Sequence, residues 1–262
     1  RGSIQLGGIV SAMTGLGCAV FGPLIGAAAD RFGQRPTLLI IGALNSLLLG
    51  AFAWVAFSPL PDWPLLLGAF LIGASTPQTS PMSRSRLVSI ISTRIPLVRR
   101  PRLISTVLAY ESAADEVVFV FGPVIVGVLA STVGPSAPVV GAAVLSLIFV
   151  SAFALHRTSA PAKSRAERAA TLEPASALFR PALLVTVAGV FAVGLYFGSM
   201  LTSLTAFMQD RGAPEGAGLL YGAMGIGSAF LALSVALLPP RFSLRARWLV
   251  FGLLIFVGTI AL

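Results

Sequence analysis

The chain has 262 residues, of which 56% are hydrophobic and only 10% charged, where a soluble domain carries about a quarter charged residues. That composition excludes an ordinary water-soluble enzyme, and charge-free stretches such as Leu183 to Gln209 require a non-aqueous solvent. A net charge of +9 would point to nucleic acid in a soluble protein, but these basic residues sit in short loops between apolar segments, which assigns them to a membrane surface.

Eight apolar segments are expected to span a bilayer, at 4–29, 36–57, 63–82, 105–133, 136–155, 181–208, 215–238 and 245–262. About 20 residues of helix cross ~30 Å of hydrocarbon. The first segment holds the single cysteine, Cys18, which has no internal disulfide partner, and the spaced glycines Gly22 and Gly26, suited to a close helix crossing. The third ends in Gln78 and Thr79. After it, 83–104 mixes arginines with Ile90, Ile91, Ile95, Leu97 and Val98. Such a stretch can lie on anionic headgroups, and without aromatics for base stacking it is not a nucleic-acid site. The fourth segment carries Glu111, Asp115 and Glu116 ahead of Gly122-Pro123 and Gly127. His156, the single histidine, lies in the basic stretch after the fifth, so no His/Cys metal site and no cofactor is expected. The sixth holds Tyr196, Ser199, Thr202 and Ser203 as its sparse polar residues.

Charge alternates with the segments. The loops after the first, third, fifth and seventh hold all of the 18 basic residues except Arg1 and Arg211. The positive-inside rule places those loops in the cytoplasm. The chain also repeats itself at an offset of 210 residues: Arg1-Gly2 pairs with Arg211-Gly212, Gly8 with Gly218, Gly15-Leu16-Gly17 with Gly225-Ile226-Gly227, and Arg31-Phe32-Gly33-Gln34-Arg35 with Arg241-Phe242-Ser243-Leu244-Arg245. A parallel repeat of this length in an apolar chain points to a transporter built from two copies of one helical unit. Completing both copies adds one helix before residue 1 and three after residue 262. The expected whole is six plus six helices: an N-terminal bundle at 1–155, a flexible cytoplasmic linker at 156–180, and a C-terminal bundle beginning at 181–262.

Two clusters carry chemistry. In the loop after the first segment, Asp30 lies at a helix C-terminus, where its charge opposes the dipole, so it needs a cation that Arg31 or Arg35 can supply. Gly33 permits the tight turn. In the fourth segment, Glu111 and Asp115 share one helix face and Glu116 lies about 100° around from Asp115. Two readings stay open for these acids. They occupy the first turns of a helix beginning near 105, favoured by its dipole and the preceding arginines; or, as acids within a membrane helix, one of them carries a proton, with Asp115 the first candidate.

The run Gly26-Ala27-Ala28-Ala29-Asp30-Arg31-Phe32-Gly33-Gln34-Arg35 resembles the signature loop of the major facilitator superfamily, departing only at Pro36, where that signature has a second basic residue. The resemblance implies an all-α membrane fold of two six-helix bundles around a central cavity, and secondary transport of a small-molecule substrate by alternating access. It implies that Gly26, Asp30, Arg31, Gly33 and Arg35 form a conformational latch between the halves. Gly122-Pro123-Val124-Ile125-Val126-Gly127 resembles in part the fifth-helix bend motif of drug–proton antiporters, lacking glycine at 118 and a second one before Gly127. By the same resemblance Gln78, Tyr196 and Ser199 belong to cavity-lining helices. No charge lies between Trp63 and Ser83, which favours a lipophilic or neutral solute over an anion. The expectation is therefore a monomeric, multi-pass transporter of a bacterial plasma membrane, proton-coupled and of the exporter type. It would have no enzymatic activity, and its partners would be a small-molecule substrate, protons and the lipid bilayer, with no nucleic acid. The alternative is a non-transporting sensor or scaffold on the same fold.

Overall fold

The computed structural model describes residues 3–171, 174–213, 216–234 and 242–261. Ten α-helices are described: α1 (Ile4–Phe32), α2 (Gln34–Ala56), α3 (Asp62–Ala74), α4 (Thr79–Arg94), α5 (Arg100–Thr132), α6 (Ala137–Leu155), α7 (Arg165–Thr171), α8 (Pro181–Asp210), α9 (Gly216–Ser234) and α10 (Leu244–Ala261). Short 3-10 turns at Leu97–Arg99 and Ala175–Phe179 precede α5 and α8. Among the described residues α1, α2, α5 with its leading turn, α6 and α8 are long and apolar enough to cross a membrane. The start of α10 falls 210 residues after the start of α2, as the repeat requires. Arg1, Gly2, Arg241 and positions 235–238 of the seventh expected segment lie outside the described residues.

The third expected segment, 63–82, is not one helix. It breaks at Ser75–Gln78, and α4 then runs on to Arg94, through half of the stretch read as an interfacial loop. The break has a local cause. Pro77 lacks an N–H and disfavours a helical conformation at Thr76. The hydroxyls of Ser75 and Thr76 meanwhile donate to the carbonyls of Leu71 and Ile72, at 2.8 and 3.0 Å. From α2, buried Asn45 donates its amide to Ile72 O at 2.9 Å and to Ser75 Oγ at 3.1 Å, closing the exposed end of α3.

The fourth segment begins earlier than expected. α5 starts at Arg100, with Pro101 in its first turn, where a missing N–H is harmless. Glu111, Asp115 and Glu116 therefore sit in mid-helix, too far from the N-terminus for the dipole to hold them.

α1 packs along α3, α2 along α6, and α5 along α9. The α1–α3 crossing is tight because Gly17 and Gly73 face each other's helices. A Cβ on Gly17 would strike Phe70 O and Ala74 N, and one on Gly73 would strike Thr14 O. Gly26, expected to serve this purpose, faces open space, and Gly22 touches only the Gln78 side chain. Ile25, Ala29, Leu38, Met82 and Ala154 form a buried cluster joining α1, α2, α4 and α6 beneath the α1–α2 turn. Elsewhere large apolar side chains face outward: Leu47 is 73% exposed, Phe191 66% and Leu249 75%. Such a surface is stable only against hydrocarbon.

Candidate functional site

Gly33 is the single residue between α1 and α2. Its φ of 93° lies where a side chain is strained, and its N–H closes α1 by donating to Ala29 O at 2.9 Å. Opposite this turn runs the chain that follows α6. Gln34 N donates to Ala160 O at 3.0 Å and Lys163 N to Asp30 O at 2.9 Å, so the two segments are sewn together by their backbones. A Cβ on Gly33 would meet Ala162 N at 3.2 Å, a second reason for glycine. The Lys163 ammonium lies 2.9 Å from the Asp30 carboxylate. The expected cations are not its partners: Arg31 instead lies over the Phe32 ring at 5.3 Å, and among the described residues neither Arg31 nor Arg35 is bridged to Asp30.

Arg86 of α4 anchors the same junction from below. It is 5% exposed and makes three hydrogen bonds, to Gln34 Oε1 (2.6 Å), Phe153 O (2.8 Å) and Ser159 Oγ (3.3 Å). Its guanidinium stacks 3.7 Å from the Phe153 ring centroid. Burial lowers its pKa from the usual arginine value, yet arginine stays charged. One side chain thus ties α2, α4, α6 and the segment after α6. That segment continues into α7 through a reciprocal cap: Ser164 N donates to Glu167 Oε2 at 2.7 Å and Glu167 N to Ser164 Oγ at 3.2 Å. The Ser164 hydrogen bonds hold the Glu167 carboxyl below its ordinary value. The stretch 156–180, expected to be flexible, is therefore ordered at its start by named contacts.

The α5 acids divide. Arg84 of α4 bonds Asp115 Oδ2 at 2.7 Å and approaches Glu111 Oε2 at 4.0 Å, while Ser83 Oγ donates to Glu111 at 2.9 Å. Glu111 is thus held by α4, close to one of the arginines that precede it, with its side chain only 14% exposed. Glu116 points the other way. It accepts a hydrogen bond from Ser228 Oγ of α9 at 3.0 Å, and among the described residues no Lys or Arg lies within 4 Å of it.

Just beyond Glu116, α5 crosses α9 around Pro123. The glycines that permit this belong to α9. A Cβ on Gly218 would meet Pro123 O at 2.9 Å, one on Gly222 would meet Val124 Cγ2 at 2.8 Å, and one on Gly225 would meet Val120 Cγ2 at 3.0 Å. Gly122 itself faces nothing within 4 Å, and neither do Gly8 and Gly15, the repeat counterparts of Gly218 and Gly225.

This helical, apolar-surfaced chain matches the family model of the Major Facilitator Superfamily over residues 2–262. The chain belongs to the Major Facilitator Superfamily. It is an integral membrane protein of a family of secondary transporters acting on small molecules. No curated protein and no solved structure matches it.

The remaining candidates of this major facilitator protein are spread out. Gln78 sits in the α3–α4 break, donating to Thr76 O at 3.1 Å and lying 3.9 Å from Cys18 Sγ. On α8, Ser199 Oγ donates to Tyr196 O at 2.9 Å, the backbone bonding usual for serine in membrane helices, and the Tyr196 ring meets Phe197 edge-on at 5.7 Å. Among the described residues no hydrogen bond joins Gln78 to Tyr196 or Ser199. Four polar residues that organise the site were not singled out from sequence: Asn45, Arg86, Ser164 and Ser228. Two had signals. Asn45 is the amide in an otherwise apolar segment, and Ser164-Arg165-Ala166-Glu167 is a capping box.

Proposed function

We propose that this transporter moves a small lipophilic solute by alternating access and exchanges it for protons, as an exporter of a bacterial plasma membrane. In this reading α1–α6 form one half and α8–α10 begin the other. The α1–α2 turn and 156–180 face the cytoplasm, where Asp30, Gly33 and their neighbours act as the latch. α5 and α9 are where the halves meet.

The observation that carries the coupling is the separation of the three acids. Asp115 and Glu111 are engaged by α4, so removing either charge breaks structural contacts. Glu116 reaches across the α5–α9 crossing to a neutral hydroxyl. Ser228 can donate to a carboxylate or accept from a protonated carboxyl, so Glu116 can change charge without losing its partner. An uncompensated charge at a seam between moving halves is a lever on their equilibrium. This moves the coupling role from Asp115 to Glu116.

The test uses the full-length protein in proteoliposomes, with a fluorescent lipophilic dye as solute and an internal pH dye. Glu116→Gln should abolish dye movement driven by a pH gradient while sparing dye exchange at equal pH. Asp115→Asn should keep gradient-driven movement. Gradient drive surviving in Glu116→Gln, and lost in Asp115→Asn, returns the role to Asp115.

A further inference from the structure

At the ends of α2 and α6 remote from the α1–α2 turn lies a groove of about 620 Å³, within the range of small-ligand sites. Gly50, Trp54 and Phe57 line it from α2 and the residue that follows, Ser136 and Val140 from the start of α6. Both helices are long and apolar enough to cross a membrane, so the groove sits where hydrocarbon gives way to headgroups. It opens onto lipid. Trp54 ends a stripe of outward side chains, Ile40, Leu44 and Leu47, and Val140 begins another with Val144 and Ile148. Trp54 and Phe57 are 70% and 61% exposed, and aromatic rings favour this interfacial level. Gly50 leaves the room: a Cβ there would meet nothing within 4 Å. Ser136 precedes α6 without capping it, so its hydroxyl can serve an outside acceptor. The loops at 57–61 and 133–136 hold no Lys or Arg, and Asp62 opens α3 just beyond the first of them.

We infer that this groove binds a phospholipid with an ammonium headgroup, one acyl chain lying along Gly50 and Val140 and the ammonium over the rings of Trp54 and Phe57. The site is separate from the α5–α9 seam and does not depend on the transport reading. Its place sets the class of occupant, since lipid is the molecule in excess at this depth. Chemistry then selects among lipids. A partly desolvated ammonium is attracted to aromatic faces, and the phosphate or ester oxygens beside it can accept from the Ser136 hydroxyl. An anionic headgroup finds no cation in these loops and meets the field of Asp62. A lipid without a headgroup charge fills the groove but leaves the rings without a cation.

The test is quenching of tryptophan fluorescence in the purified full-length protein, held in nanodiscs of equimolar phosphatidylethanolamine and phosphatidylglycerol with identical acyl chains. Bromine quencher is placed on the chains of one lipid or of the other, so the bilayer composition never changes. The Trp54 signal is the wild-type signal less that of Trp54→Phe, which keeps a ring in the site. Brominated phosphatidylethanolamine should quench it more, by a margin that reports about threefold tighter binding. Gly50→Leu, which fills the groove and leaves both rings in place, should make the two lipids quench alike. A leucine there suits a helix and its Cβ meets nothing within 4 Å, and the wild-type comparison holds without that variant. Equal quenching in wild type would mean annular contact only and overturns the site, as does stronger quenching by the glycerol lipid. A preference that survives Gly50→Leu removes the groove from the proposal and overturns it too.

Discussion

Asp30 and Lys163 are each nearly half exposed, with side chains at 49% and 45%. Exposed ion pairs are worth about 0.2–1 kcal/mol, so Lys163→Ala should change transport by about fivefold at most. If Asp30 serves the proposed latch, Asp30→Asn should cost far more. Rates of dye transport in the two variants check this, and equal effects would reduce Asp30 to the anchor of Lys163. Arg86 belongs to a different class. Its removal takes the bond from Phe153 O and leaves Gln34 Oε1 with only the longer 3.3 Å bond from Ala160 N, in a buried site where an unsatisfied group costs about 1–3 kcal/mol. Arg86→Met should lower the melting temperature of the purified protein by several degrees. Arg86→Lys should not restore it, since an ammonium cannot span three acceptors and stack on Phe153. At this scale sequence spacing revealed only what lies on one element. Glu111 and Asp115 were legible as a same-face pair, but Arg84 and Ser83 were not legible as their partners, because contacts between helices leave no spacing to read. Asp30 was legible as a carboxylate in need of a cation. Which cation was not, since Lys163 lies 133 residues away.

The helices themselves were legible because an apolar run of this length has few other fates. Their ends were not. α5 extends five residues further toward its N-terminus than the apolar signal, since arginine and leucine are good helix formers and proline is tolerated in the first turn. The α3–α4 break was hidden because its residues read as the tail of an apolar span, although Thr76-Pro77 is a pre-proline step that disfavours helix. Asn45 makes that break affordable, and Asn45→Leu should destabilise the protein by about 1–3 kcal/mol, measured as a loss of thermal stability. Leu at 45 with unchanged stability would mean that Ser75 and Thr76 close the end of α3 unaided. α7 depends on its cap in the same way. Ser164→Ala should cost about 1 kcal/mol and speed tryptic cleavage at Arg165 and Arg168 by about fivefold, leaving cleavage elsewhere unchanged.

Across the whole molecule, the asymmetry of basic loops predicts an orientation that can be measured. In a Cys18→Ser background, cysteines at 60 and 213 should react with an impermeant thiol reagent applied to whole cells, and one at 163 should not. Labelling at 163 from outside would reverse the topology. The internal repeat was legible as matched glycines, but the structure uses two of these pairs in one copy alone: Gly218 and Gly225 are where α9 admits the backbone of α5, while Gly8 and Gly15 face nothing within 4 Å. The backbone stitching of 160–163 to the α1–α2 turn has one more effect at this scale. A tether sets the local concentration of the bodies it joins, and that concentration falls as the slack grows. Here the slack begins after Lys163 and not at His156, and the coil of α7 shortens it again. α8 is therefore kept on a short leash, so if the α5–α9 seam parts, the two sides meet again at high local concentration, and reclosure is fast without any attraction between them.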